Sequence, residues 1–171
     1  MVTIKDIQTL DMFMQVHNIP YVLTGTAALM VHGILPEGYA ADDIDIIVLV
    51  NQDENSNRYF SVEKTLKQLE LLSGEDKNNA DYNSVITFRV NSVKVNAFMG
   101  GREIHKQEAD NPNNYIGGFG EEGLYRTMTI CANPIKVSCV NCILAAKFSL
   151  KRMKDYKFAK DLVSTILKIG F

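Results

Sequence analysis

Asp43 and Asp45 stand at i and i+2 at the head of an apolar run, Asp43-Ile-Asp45-Ile-Ile-Val-Leu-Val50. Strand side chains alternate between faces, so the two carboxylates leave the same side of one strand. Like charges so placed repel unless a cation lies between them, and two carboxylates suit a hard divalent ion. About twenty residues upstream, Leu23-Thr24-Gly25-Thr26-Ala-Ala reads as a strand turning through glycine into a short apolar helix that ends at His32-Gly33. The start of such a helix presents unpaired backbone N–H groups to an anion. A phosphate cradle beside a divalent-metal site is the layout of a nucleotide-handling enzyme. Alone, a glycine turn is an ordinary turn, and Asp-x-Asp with Asp42 beside it is an ordinary solvated strand edge; their order and spacing together point to a site.

The elements that must position these residues follow from periodicity. Thr3 caps a first helix, with Ile4, Ile7, Leu10, Phe13 and Met14 on one stripe and Asn18-Ile-Pro20 ending it. Strand Tyr21–Thr24 leads into helix Thr26–His32, closed by Gly33, and Ile34–Ala41 connects to the strand at 43–50. A third helix spans about Arg58–Leu72, with Val62, Leu66, Leu69 and Leu72 inward. Val85–Val90 and Val93–Phe98 form a hairpin turning at Asn91-Ser92, and Leu124–Cys131 with Ile135–Val137 form a second around Ala132-Asn-Pro134. Helices at about Cys139–Met153, with Ser138 as its cap, and Tyr156–Ile169 close the chain. The order predicts an α+β (mixed α/β) domain: a mixed β-sheet with helices mainly on one face, plus C-terminal helices. One domain over 1–171 is expected, with a core at 1–98, an irregular loop and hairpin at 99–134, and basic helices at 135–171.

The 171 residues are 46% hydrophobic and 22% charged, enough for an ordinary core. No apolar run approaches the twenty or so residues that span a bilayer, and the N-terminus lacks signal-peptide blocks. Three cysteines, an odd number, argue against a disulfide framework. A cytoplasmic protein is the expectation. The net charge of −2 conceals a balance of +6 from Lys136 onward against −8 before it. That basic tail fits either phosphate attraction or the solvated face of two helices.

These residues resemble a family. Leu23-Thr-Gly25-Thr-Ala-Ala, His32-Gly33 and Asp43-Ile-Asp45 look like the nucleotidyltransferase-fold, polymerase-β-like superfamily, and most like its small prokaryotic members of toxin–antitoxin and abortive-infection systems. The segment Ile135-Lys-Val-Ser…Lys147…Arg152-Met-Lys154-Asp155…Asp161-Leu162 is similar to theirs too. The resemblance implies a nucleotidyltransferase fold and transfer of a nucleoside monophosphate from an NTP to a hydroxyl on a small molecule, protein or RNA. It implies Mg²⁺ or Mn²⁺ on Asp43 and Asp45, and nucleotide contacts from Thr24, Gly25, Thr26, Lys147, Lys151, Arg152 and Lys154. Helical spacing sets Lys147, Lys151 and Lys154 on one face.

Three positions depart from that pattern. Tyr39-Ala-Ala-Asp42 stands where a basic residue and a Thr or Ser are usual, and Thr26 where a second Gly or Ser is usual. The third carboxylate is expected on Val93–Phe98, where its natural position holds Asn96, the third catalytic-site candidate with Asp43 and Asp45. Asn is nearly isosteric with Asp, yet it is neutral and cannot serve as a general base. Glu103 or Asp110 in the irregular loop could substitute. The alternative function is therefore a catalytically inactive descendant that binds nucleotide or a cognate partner protein, as an antitoxin-like or interaction module would.

The remaining features carry less. Cys139-x-x-Cys142 lacks the second pair that a zinc site needs, and reads as structural or as a redox pair. His32 reads as a helix-end packing residue, and His17 and His105 as surface residues. The run Asn114-Tyr-Ile-Gly-Gly-Phe-Gly120 is either a ligand lid or a plain surface loop.

Overall fold

The computed structural model describes residues 1–52, 54–74, 85–99, 125–149 and 152–170. Helices α1 (Ile4–Val16), α2 (Gly25–His32), α3 (Ser56–Ser73), α4 (Val140–Ser149) and α5 (Met153–Ile169) surround six strands. The strands are β1 (Tyr21–Thr24), β2 (Asp43–Val48), β3 (Val85–Val90), β4 (Val93–Met99), β5 (Tyr125–Ile130) and β6 (Asn133–Ser138). They form one sheet in the order β3-β4-β2-β1-β6-β5. β2/β4 and β1/β6 run parallel and the other neighbours antiparallel, so the sheet is mixed as expected. No helix among the described residues is long and apolar enough to cross a membrane.

Local chemistry explains most boundaries. Thr3 and Asp6 close a capping box at α1: the Thr3 N–H and hydroxyl each donate to Asp6 Oδ2 at 2.8 Å, and the Asp6 N–H donates to Thr3 Oγ1. Asn91 and Ser92 both take left-handed backbone, as a two-residue hairpin turn requires.

The sheet has two unlike faces. Ile44 and Ile46 of β2, Leu23 of β1, Val95 and Ala97 of β4, and Ile86 and Phe88 of β3 share one cluster with Ile7, Leu10 and Met14 of α1 and Val62 and Leu66 of α3. That face is a closed core, worth roughly 1.5–3 kcal/mol for each large side chain fully buried. On the other face, Val22 of β1 and Ile47 of β2 meet Cys142 and Ala146 of α4 in a small second cluster. Alternation places Thr24, Asp43, Asp45 and Asn96 on this thinly covered side.

Three expectations fail in the C-terminal part. The second hairpin turns at Cys131-Ala132, both left-handed, rather than at Ala132-Asn-Pro134. Pro134 lies inside β6, opposite Thr129, where its missing N–H is tolerated because β1 pairs with β6 only around Val137. The expected continuous helix through Met153 also breaks: α4 ends at Ser149, and Arg152 is extended before α5 begins. Ser138 ends β6 instead of capping α4, and its hydroxyl is buried with no partner among the described residues.

Candidate functional site

Sheet register builds the site. Thr24 lies opposite Asp45 across β1/β2, Asp45 beside Asn96 across β2/β4, and Asn96 opposite Thr87 across β4/β3. Asp43 is level with Lys94. One row of four strands thus brings Asp43, Asp45 and Asn96 together on the open face.

Asn96 is held from three sides. Its amide nitrogen donates to Asp45 Oδ1 at 3.0 Å and to Asp43 Oδ2 at 3.3 Å. The Thr87 hydroxyl donates to Asn96 Oδ1 at 3.1 Å. Carboxylates only accept, so the NH₂ end of the amide must face them, and the Thr87 contact takes up the other end. Where a third carboxylate would add repulsion, the amide links the two that are present. Even so, Asp45 is pushed up from 3.8 to about 6, by burial first and by the Asp43 charge second; the Asn96 hydrogen bond and the charges of Lys147 and Lys94 oppose the shift.

Glycine at position 25 has a geometric cause. Its φ is +67°, and a Cβ there would stand 2.5 Å from Asp45 Oδ2. The carboxylate therefore lies against the backbone at the first residue of α2, whose first-turn N–H groups have no helical acceptors. Thr24 is extended and buried at the cap position, without a side-chain capping bond, and Thr26 is half-buried in the first turn.

The cations nominated for phosphates do not share one helix face. Lys147 lies on α4 with Nζ 4.0 Å from Asp155 Oδ1 and 5.0 Å from the centre of the Phe158 ring, close enough to Asp45 to lower its pKa. Arg152 pairs through Nε and Nη2 with the same buried Asp155. Lys154 is exposed on α5, beyond the break, and Lys151 lies outside the described residues. Glu103, His105, Asp110 and the glycine-rich run at 114–120 also lie outside them.

Three residues near the site have no assigned role in the sequence pattern. Lys94 precedes Asn96 by two and so shares its face, a period-two signal that was there to be read. Thr87 becomes relevant only through cross-strand register, and Asp155 only through the bend between α4 and α5. His32 does pack: its Nε2–H donates to the Ser138 carbonyl at 2.8 Å, and its Nδ1 accepts from Arg126 Nη2 at 3.1 Å. Burial first and Arg126 second hold it below the usual histidine range, which fits a neutral ring. Tyr39, in the segment that departs from the family pattern, donates to Asp161 Oδ2 at 2.7 Å and meets Phe158 edge-on, tying the loop before Asp43 to α5.

Solved structures share this arrangement of sheet and helices. A nucleotidyltransferase-like antigenic protein from Paracoccidioides brasiliensis superposes with a TM-score of 0.51 at 14% identity, covering 92% of this chain and 72% of its own. The fold is nucleotidyltransferase-like. The antibiotic-resistance factor ANT(2'')-Ia is also similar, with a TM-score of 0.50 at 13% identity, over 98% of this chain and 90% of its own. The sequence matches no protein-family model and no curated protein. Within the nucleotidyltransferase-like fold, Gly25, Asp43, Asp45 and Asn96 converge at one place on the open face.

Proposed function

We propose that this face binds a nucleoside triphosphate with Mg²⁺ or Mn²⁺ and transfers its nucleoside monophosphate to a hydroxyl acceptor. The observation that carries the reading is the convergence of Asp43, Asp45 and Asn96 beside the Gly25 turn. The donor set fits a hard divalent ion: Asp43 and Asp45 are two carboxylate ligands, and Mg²⁺ ordinarily takes one or two carboxylates and completes its shell with water and phosphate oxygens. Among the described residues no group of three or more His, Cys, Asp or Glu could hold a metal, and those residues bring two carboxylate charges to the site. A bound ion would neutralise triphosphate oxygens and make the acceptor hydroxyl easier to deprotonate.

The chain's own residues supply the rest. First-turn N–H groups of α2, at Gly25 and Thr26, meet phosphate oxygens. Lys147 adds positive charge from α4, at the edge of the carboxylate face. Thr24 supports the turn from within the sheet. The acceptor would be a small-molecule, protein or RNA hydroxyl, and a cytoplasmic setting suits an NTP substrate.

Asn96 supports a second reading. A neutral amide facing both carboxylates cannot take the acceptor's proton, a step worth on the order of 10²–10⁴-fold in rate. The chain would then be a catalytically silent nucleotide binder, or an antitoxin-like module that engages a cognate partner. Pyrophosphate release, measured with each NTP, Mg²⁺ and a panel of hydroxyl acceptors, separates the two. Release that depends on Asp45 supports transfer, and nucleotide binding without release supports the silent descendant.

A further inference from the structure

At its start α4, which packs on the carboxylate side of the sheet, carries two thiols in unlike surroundings. Cys139 is partly exposed on the wall of a cavity of about 360 Å³, together with His32, Arg126, Asn141, Leu144 and Ile166. Cys142 is buried against Val22, Ile47 and Ala146. The Cys142 N–H donates to the Cys139 carbonyl at 3.0 Å, which makes Cys139 the cap of α4 and Cys142 its third residue. Side chains three apart on a helix have Cβ atoms about 5–6 Å apart. A disulfide needs about 3.5–4.5 Å, so closure asks the first turn of α4 to tighten by about 1 Å.

The cavity also has a charge. Arg126 donates to His32 Nδ1 and has no carboxylate partner among the described residues. A guanidinium at the mouth of a small cavity draws in anions.

We propose that Cys139 and Cys142 form a reversible dithiol–disulfide pair, in which Cys139 meets an anionic low-molecular-weight disulfide of the glutathione type in this cavity and Cys142 resolves the adduct. The Cys139 sulfur attacks one sulfur of the small disulfide, whose S–S bond breaks. One half leaves as a thiol, carrying the proton that Cys139 gave up. The Cys142 sulfur then attacks the Cys139 sulfur of the mixed disulfide, and the second half leaves as a thiol with the Cys142 proton. Two protein thiols are oxidised and one small disulfide is reduced to two thiols.

The pair is mechanically coupled to the open face. Val22 and Ile47, on which Cys142 packs, lie two residues along their strands from Thr24 and Asp45. A shift of about 1 Å in a close-packed contact has to be taken up by those strands or by α4, which carries Lys147.

The test uses the full chain with Cys131→Ser, which removes the exposed thiol in the β5–β6 turn. After treatment with oxidised glutathione, the protein is alkylated in denaturant and its intact mass measured. The expected result is loss of two hydrogens, with neither Cys139 nor Cys142 alkylated and both recovered after dithiothreitol. A stable glutathione adduct at Cys139 without ring closure, or two alkylatable thiols, overturns the proposal. In Cys142→Ala the expected product is one persistent glutathione adduct at Cys139. Arg126→Gln is expected to slow oxidation by glutathione disulfide roughly tenfold while leaving the rate with neutral hydroxyethyl disulfide unchanged; equal slowing with both reagents overturns the anionic selectivity.

Discussion

Replacing Asn96 by Asp converts the amide that joins Asp43 and Asp45 into a third negative charge beside them. Two hydrogen bonds to carboxylates are lost, at 3.0 and 3.3 Å; bonds to charged groups contribute about 1.5–3 kcal/mol each when well formed. At roughly 4 Å, a new like charge adds about 4 kcal/mol of repulsion against each of the two carboxylates at an effective dielectric constant of 20. Proton uptake limits the sum, since Asp45 already sits at about 6 and a third acid raises the cluster further. A net loss of roughly 2–4 kcal/mol without metal is the expected result, or about 4–16 °C in Tm for a chain of this size. The pH dependence has a definite sign. An acid raised above its unfolded value of 3.8 leaves the native state holding more protons than the unfolded one, so stability falls as pH rises from about 4 through 6. The difference between Asn96→Asp and wild type is therefore largest above pH 7 and closes below about 5. Saturating Mg²⁺ is expected to raise the variant's Tm several times more than the wild type's. Differential scanning fluorimetry at pH 5 and 8, with and without Mg²⁺, reads all of this. A variant that melts like wild type at pH 8 without metal and gains nothing from Mg²⁺ would refute the placement of Asn96 between the two carboxylates.

Other perturbations probe the supports of the site. Gly25→Ala forces a left-handed alanine whose Cβ meets Asp45 Oδ2; a loss of at least roughly 1–3 kcal/mol in urea melts is expected, together with weaker Mg²⁺ binding by calorimetry. Tyr39→Phe removes the hydrogen bond to Asp161, and hydrogen exchange is expected to quicken in residues 34–42 while α1 is unchanged. Thr3→Ala breaks the capping box and is expected to cost about 1 kcal/mol at pH 7. Burial raises the Asp6 pKa, but the Thr3 N–H and hydroxyl bonds, with the Asn91 side chain and the N-terminal charge, outweigh it and leave Asp6 below 3.8. That stabilisation is present above the unfolded pKa and is lost as pH falls through the folded value, so urea melts of Thr3→Ala and wild type should converge in strong acid.

The first half of the fold was legible because its signals are local. Thr3, the Leu23-Thr-Gly25 turn, Gly33 and the Asn91-Ser92 turn each do what their residue types allow, and alternation puts Asp43 and Asp45 on one face, which Asn96 joins through the β2/β4 register. The second half was less legible because tertiary contacts overrule local preference. Cys131 and Ala132 take left-handed turn positions usually given to Asn and Gly, so Asn133-Pro134 looked like the turn. The α4–α5 break carries no proline or glycine, and a bend held by Asp155, which accepts from Arg152 and ion-pairs with Lys147, leaves no periodic trace. The helical spacing of Lys147 and Lys154 therefore predicts a shared face that the chain does not build. Thr87 fixes the Asn96 amide from a neighbouring strand, and only register reveals that role.

The central claim is that Asp43 and Asp45 form a cation-dependent nucleotide site. Its most direct measurement is calorimetric titration of wild type and of Asp43→Ala/Asp45→Ala with each NTP, in the presence of Mg²⁺ and in its absence. Wild-type binding is expected to require Mg²⁺ and to disappear in the double variant while that variant stays folded by circular dichroism. Binding that persists undiminished in the folded double variant, or a wild type that binds no NTP with Mg²⁺ present, contradicts it.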